Sequence, residues 1–423
     1  MEQRTTCVVV GGGPAGLMTG LLLAREGVAV TVLEKHADFL RDFRGDTVHT
    51  STMTLLDELG LWPRFAELPW KPMSSARVVL DAGAADVADL ARLHQPHPFI
   101  AMVPQWHLLD MLAGAAEEEP TFALRRQAEV VDLVKESGRV TGVRWTDRTD
   151  GTEHVLHADL VVACDGRGSV VRAASGLTAR TYDVPMDVWW FQVPRGEGTD
   201  DPAGGLGRIS AGRFVIMLDR GEYYQVGYLI PHGTDAAYRR RPIADLRADL
   251  RRLVPWLGDR VEGLRSWDDV KLLAVTLDRL ESWSAPGLLC LGDAAHTMSP
   301  AGGVGINLAV QDAVAAARVL GPVLAPGGAV DPAAVDAAAV RVQRRRRWPA
   351  AATQAVQRLI HRVIVRSALD PARTPGATRI PAPLRLLTRF PALQAVPGRA
   401  IGLGVLPEHA PAAARREPLP TLD

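Results

Sequence analysis

Three turns rich in glycine and carboxylate carry most of the chemistry legible in this 423-residue sequence. The first is Gly11-Gly12-Gly13-Pro14-Ala15-Gly16, with Glu34 further on. Gly11 permits a tight turn, Gly13 lets the backbone approach a pyrophosphate, and Gly16 allows a helix to pack closely on a strand. Backbone N–H groups and the positive end of that helix then hold the diphosphate. Glu34 falls where a carboxylate accepts both ribose hydroxyls, which favours a dinucleotide without a 2′-phosphate. Alone, this motif does not separate a flavin from a nicotinamide nucleotide. The second turn is Asp165-Gly166-Arg167-Gly168-Ser169-Val170-Val171-Arg172. The third runs Gly292-Asp293-Ala294-Ala295-His296, then through Pro300 to Gly302-Gly303-Val304-Gly305-Ile306-Asn307.

Each turn follows an apolar run that reads as a buried parallel strand. Cys7-Val8-Val9-Val10 precedes the first, residues 159–164 the second and residues 288–291 the third. A helical pattern reaches Glu26, Gly27 closes it, and residues 28–33 give the next strand. This is the strand–turn–helix–strand context that the glycine motif requires. A long alanine-rich helix follows Asn307.

At these residues the chain resembles the para-hydroxybenzoate hydroxylase family, the group A flavoprotein monooxygenases. The family's hallmarks are GxGxxG, DGxxSxxR and GDAAHxxxP, and all three occur here in its order, over about residues 5 to 320. The resemblance implies non-covalently bound FAD, with Asp293 accepting from ribityl hydroxyls and Gly303 and Gly305 leaving room for the flat ring. The helix starting near Ile306 and Asn307 then sets its positive end beside the flavin N1–C2 carbonyl. Asp165 resembles the residue the family uses near the pyrophosphate and in NAD(P)H handling. Arg44 and Gln105 resemble its flavin-contacting arginine and FAD-contacting glutamine. Lys35, Val131 and Pro300 complete the set expected along the cofactor, and His296 is expected to fix its loop rather than to catalyse. The implied reaction uses NADPH or NADH as transient reductant and O2, and hydroxylates a phenolic or polycyclic aromatic through a C4a-hydroperoxyflavin. Three alternatives stay open: a flavin-dependent halogenase, a flavin-dependent reductase and a ligand-sequestering flavoprotein. The halogenase motif WxWxIP is only partly matched by Trp189-Trp190-Phe191-Gln192-Val193-Pro194.

The expected architecture is α/β: a Rossmann-type FAD domain from residues 1–74, 102–180 and 270–325, interleaved with an α+β substrate domain. That second domain, residues 75–101 and 181–269, shows period-two patterns of a mostly antiparallel sheet. Residues 187–193 read as one strand, and residues 213–219 and 223–230 as a hairpin. Stacked over the flavin domain, this sheet forms a substrate roof, with Trp189, Phe191, Met217 and Tyr223 as pocket candidates. Tyr223 or Tyr224 can polarise a substrate phenol. Only some of these residues share a face, since alternate side chains on a strand point opposite ways. Residues 326–423 read as a helical segment broken near Pro349, then a Pro-rich tail. Arg344-Arg345-Arg346-Arg347 is expected to form a solvated helix end.

Charged residues balance to a net charge of zero, so nothing points to nucleic acid or an anionic membrane as partner. Cys7, Cys164 and Cys290 each sit in or beside a buried run, and no metal-ligand spacing links them. The N-terminus shows no signal-peptide pattern, and no apolar stretch is long enough to span a bilayer. The expectation is a cytoplasmic monomer or homodimer without metal.

Overall fold

The run Cys7-Val8-Val9-Val10 has no polar side chain to offer water, and it lies at the centre of a parallel sheet, buried on both faces. The computed structural model describes residues 3–40, 46–196, 202, 204–370, 372 and 382–417. The strand Gln3–Val10 pairs in parallel with Val30–Leu33 on one side and Glu153–Ala163 on the other. Phe122–Arg125 and Leu288–Cys290 extend the sheet at its two flanks, also in parallel. The antiparallel strands Ala128–Glu136 and Arg139–Asp147 continue from the first half of Glu153–Ala163.

Two helices cover this sheet next to the turns. The nucleotide helix, Pro14–Arg25, starts with proline at its first turn and is buried around almost its whole circumference. The flavin helix, Gly305–Leu324, packs against it; small residues such as Ala309, Ala313 and Ala316 let the two approach closely.

A second sheet of seven strands draws on residues 75–89 and 186–273. Met186–Pro194, Tyr223–Pro231 and Arg213–Asp219 lie side by side and antiparallel in its middle. The helix Ile243–Leu253 covers one face, its Leu246, Leu250 and Leu253 falling on one stripe. Fully burying each contributes about 1.5–3 kcal/mol. Trp189, Phe191, Val215, Met217, Tyr224 and Val226 point into that layer and are buried there. The opposite face carries Trp190, Phe214, Ile216 and Leu218, which are half buried, beside Val188 and Leu229, which are buried in a cluster with Val365 and Leu369 of the C-terminal segment. The fold is thus α/β, with an interleaved, mostly antiparallel roof and a helical C-terminal segment. Among the described residues no helix is long and apolar enough to cross a membrane.

The C-terminal segment departs from expectation. Pro349 does not break the helix, which runs unbroken over Pro332–Ile360 and on through a π-helical turn, His361–Val365. An interior proline costs about 3 kcal/mol, but tertiary contacts fix the helix on both sides of it. Nor is the arginine run a solvated end. Arg346 is 1% exposed and its Nε meets Asp312 Oδ1 at 2.9 Å, while Arg345 clasps Glu408 at 2.6 and 2.8 Å. Arg344, Arg345 and Arg347 are exposed, so the run is solvated except at Arg346, but it lies within the helix and not at its end.

Candidate active site

The three turns converge. Gly11 has φ of +102° and packs so tightly on the second turn that a Cβ there would lie 2.5 Å from the Cys164 carbonyl oxygen. A Cβ on Gly16 would meet the Gly11 carbonyl oxygen at 1.9 Å, so both positions require glycine. Gly292, from the third turn, sits against Ala15 and Ala309, either of which a Cβ would approach to 3.2 Å. Between the second and third turns, Arg167 Nε lies 3.6 Å from Asp293 Oδ2.

At the nucleotide end, the Glu34 carboxylate accepts from Gly12 N at 2.8 Å and His36 N at 3.0 Å, which fixes it beside the turn. Ala128 N donates to Glu34 O at 2.9 Å, bringing the segment that bears Val131 alongside the one bearing Lys35; both of these side chains are exposed. Asp165 faces inward: it accepts from Ser169 Oγ at 2.6 Å and Val171 N at 3.2 Å, and burial raises its pKa despite those bonds. Burial likewise raises the pKa of Asp293, with Arg167 opposing.

At the ring end, Thr47 Oγ1 donates to Gly303 O at 2.9 Å, and Gly303 N closes a turn on Pro300 O. The flavin helix starts at Gly305 with Ile306 and Asn307 in its first turn, and no side chain caps it. The Asn307 amide is engaged inside the protein: Oδ1 accepts from His49 N at 2.9 Å and Thr52 Oγ1 at 2.7 Å. It clamps the flavin helix to the helix Thr50–Glu58, and its Nδ2 donates to Thr47 O at 3.4 Å. Gln105 opens the helix Gln105–Glu117, with its backbone N–H bonded to Asp46. Arg44 lies outside the described residues. His296 is buried, with Nε2 2.6 Å from Asp312 Oδ2. Asp312 Oδ2 also takes Gly292 N at 3.3 Å, so this pair fixes the third turn from behind. Burial alone would raise the Asp312 pKa, but His296 and Arg346 outweigh it and hold it low.

This arrangement fits FAD. Neither the nucleotide helix nor the flavin helix has a side-chain cap, so their first N–H groups are left for an acceptor. A Cβ added at Gly13 or at Gly305 would meet nothing within 4 Å, which marks open space over both helix starts. Glu34 borders the first of these turns through Gly12 N, and Asp293 belongs to the third turn, beside Arg167.

The roof residues divide by strand register. Tyr224 points away from the flavin domain: its hydroxyl donates to Pro202 O at 2.9 Å and its ring packs on Trp256. Trp189, Phe191 and Met217 share that layer, and Trp189 Nε1 donates to Asp235 Oδ1 at 2.7 Å. Of the residues picked out from sequence, only Tyr223 lies on the half-buried face. Both faces of these strands are apolar, so composition could not reveal which one a helix covers. Burial raises the Tyr223 pKa, with Arg220 opposing.

A cluster not foreseen from sequence ties the lobes together. Arg220, at the hairpin turn, bonds Asp46 Oδ2 at 2.6 Å and Gln225 Oε1 at 2.5 and 2.9 Å. Burial raises the Asp46 pKa and lowers that of Arg220, each partner opposing the shift of the other. An arginine and an aspartate 174 positions apart give no sequence signal of pairing.

The chain matches, over residues 4–354, the family model described as FAD binding domain, and it belongs to that family. It is an FAD-dependent monooxygenase. It is 35% identical over 322 residues to the 6-methylpretetramide 4-monooxygenase of Streptomyces rimosus, covering 75% of each chain. It is 31% identical over 351 residues to the 12-dehydrotetracycline 5-monooxygenase/anhydrotetracycline 6-monooxygenase of Streptomyces rimosus subsp. rimosus, covering 79% of this chain and 65% of that one. An anhydrotetracycline hydroxylase structure from Streptomyces rimosus shares the fold, with a TM-score of 0.72 at 24% identity over 97% of this chain and 78% of that one.

Proposed function

We propose that the substrate is a fused-ring phenol held under the roof sheet, with NADPH or NADH as the transient reductant. The observation that carries this reading is the half-buried roof face. Trp190 stands opposite Gly227, which stands opposite Ile216, on three neighbouring strands. With no side chain on Gly227, the Trp190 indole lies over that strand; a Cβ there would meet the ring at 3.0 Å. Two inter-strand spacings of about 4.8 Å give a shelf roughly 10 Å wide, broader than one benzene ring. Leu218, Tyr223 and Gln192 carry the shelf toward the lobe junction, and binding sites favour such an interface. The two Streptomyces rimosus relatives, whose names refer to 6-methylpretetramide and anhydrotetracycline, support a polycyclic substrate.

Bound FAD supplies the redox chemistry, accepting reducing equivalents from the nicotinamide and activating oxygen. The chain supplies position. Gly11, Gly13 and Gly16 with the nucleotide helix take the diphosphate, Glu34 and Asp293 take hydroxyls, and the flavin helix offers its positive end to the ring. The Tyr223 hydroxyl donates to the substrate oxygen, and the raised pKa keeps its proton in place at neutral pH.

The test is anaerobic titration with NADPH and NADH, watching the oxidised flavin band, with and without one-ring and fused-ring phenols. Admission of air and mass analysis follow. Faster bleaching and gain of one oxygen with fused-ring phenols are expected. Turnover of one-ring phenols alone overturns the substrate class, and a halide-dependent product formed without direct reduction would mark a halogenase.

A further inference from the structure

Residues 297–303, which carry Pro300 and Gly303, form neither helix nor strand, so their backbone groups must find partners elsewhere. One face of the C-terminal helix provides them. Gln354, Gln357 and His361 are spaced three and four residues apart, which aligns them along one side. Gln357 Nε2 donates to Ser299 O and Ala301 O, both at 2.9 Å, and its Oε1 accepts from Ser299 N at 3.0 Å. Gln354 Nε2 donates to Thr297 O at 3.0 Å and Asp278 O at 2.7 Å. Ser299 Oγ lies 2.8 Å from His361 Nε2 and accepts from Ala301 N at 3.3 Å. Burial holds the His361 pKa low, with Arg366 adding to the effect, so the ring is neutral and its Nε2 shares a single proton with Ser299 Oγ. All three side chains are at most 3% exposed.

The same helix reaches the roof. At His361 it widens into the π-helical turn, and Val365 and Leu369 then pack with Val188 and Leu273 of the second sheet. One continuous element thus touches the loop at the ring end of the cofactor site and the sheet above it.

We propose that Gln357 and His361 are positioning residues for the flavin: they hold residues 299–301 at the spacing that the bound ring requires. The inference rests on the FAD assignment. It makes a segment outside all three nucleotide motifs a working part of the cofactor site.

The experiment compares wild type with Gln357→Met, His361→Leu, His361→Gln and Val365→Ala. Three quantities are read: FAD dissociation constant of the apoprotein by flavin fluorescence, midpoint potential of the bound flavin, and thermal midpoint of the apoprotein. Gln357→Met and His361→Leu are expected to weaken FAD binding about tenfold, equivalent to about 1.4 kcal/mol, and to move the potential. His361→Gln, whose amide can pair with Ser299 Oγ as donor or as acceptor, restores both. Val365→Ala, on the same helix but away from the loop, lowers the thermal midpoint and moves neither. His361→Leu leaves the glutamine bonds intact and serves should Gln357→Met fail to fold. Wild-type apoprotein that takes up no FAD overturns the underlying assignment. Wild type that binds FAD, with variants matching its affinity and potential, overturns this inference alone. So does a Val365→Ala that loses FAD in step with its stability.

Discussion

Replacing Arg346 by leucine tests whether the buried ion cluster behind the third turn holds that turn in place. Asp312 is wholly buried and has three partners: Arg346 Nε at 2.9 Å, His296 Nε2 at 2.6 Å and Gly292 N at 3.3 Å. Removing one member of a buried pair costs about 3–5 kcal/mol, because the remaining charge is stranded in a poorly polarisable interior. His296 stays in place, and Glu408 keeps Arg345, so the lower end, about 3 kcal/mol, applies here. Asp312→Asn added to Arg346→Leu removes the stranded charge while leaving an acceptor for Gly292 N. The double variant should therefore recover about 1–2 kcal/mol, a coupling within the range found for contacting residues. Urea unfolding followed by circular dichroism and tryptophan fluorescence gives these differences where the slopes agree. FAD affinity measured alongside should fall for Arg346→Leu. An Arg346→Leu cost below about 1 kcal/mol, the size of an ordinary surface change, would refute the reasoning. A double variant no more stable than Arg346→Leu would do the same.

The register of the roof predicts a division of effects. Met217→Ala should cost about 2–5 kcal/mol of stability with KM unchanged, whereas Ile216→Ala should raise KM; equal effects on KM would show that the faces are misassigned. Tyr223→Phe should lower kcat and Tyr224→Phe should not, as steady-state kinetics on the hydroxylation substrate would reveal. Asp46→Asn leaves the buried Arg220 short of its counter-charge and should cost about 3 kcal/mol or more, seen as faster proteolysis at the lobe junction. Burial lowers the His49 pKa from 6.5 to about 4, although its bond to Ile401 O opposes the shift. The unfolded chain therefore takes up a proton that the folded one refuses, and stability falls as pH drops from about 6.5 through 4, by up to about 3 kcal/mol. His49→Gln should flatten that acid limb in denaturation midpoints measured against pH.

The flavin site was legible because its chemistry is local. A glycine with no room for a Cβ, as at Gly11 and Gly16, must be glycine in the sequence, and a carboxylate at a strand end sits a fixed distance from the turn before it. Strands buried on both faces, such as Cys7-Val8-Val9-Val10, announce themselves by composition. Register was not legible in the same way. Trp189 and Trp190 are neighbours of equal hydrophobicity, and only the placement of the helix Ile243–Leu253 decides which one faces the flavin domain. Long-range polar pairs were equally hidden. Asp46 with Arg220, and Gln357 with the backbone of Ser299, join positions whose residue types carry no mark of their partner. Pro349 misled for a related reason: a local cost of about 3 kcal/mol is real, but contacts far away in sequence outweigh it.

Glu408, which neutralises Arg345 and lies 3.6 Å from Arg346 Nη1, also donates its N–H to Gln311 on the flavin helix. The cluster behind the third turn thus joins the flavin helix to a residue 97 positions further along the chain. At roughly 5–20 residues per second of synthesis, the flavin helix waits on the order of 5–20 s for residue 408. The domain therefore cannot be excised at the end of its family motifs. A chain ended after the flavin helix would keep every nucleotide-contacting glycine and still leave Asp312 buried without its arginine.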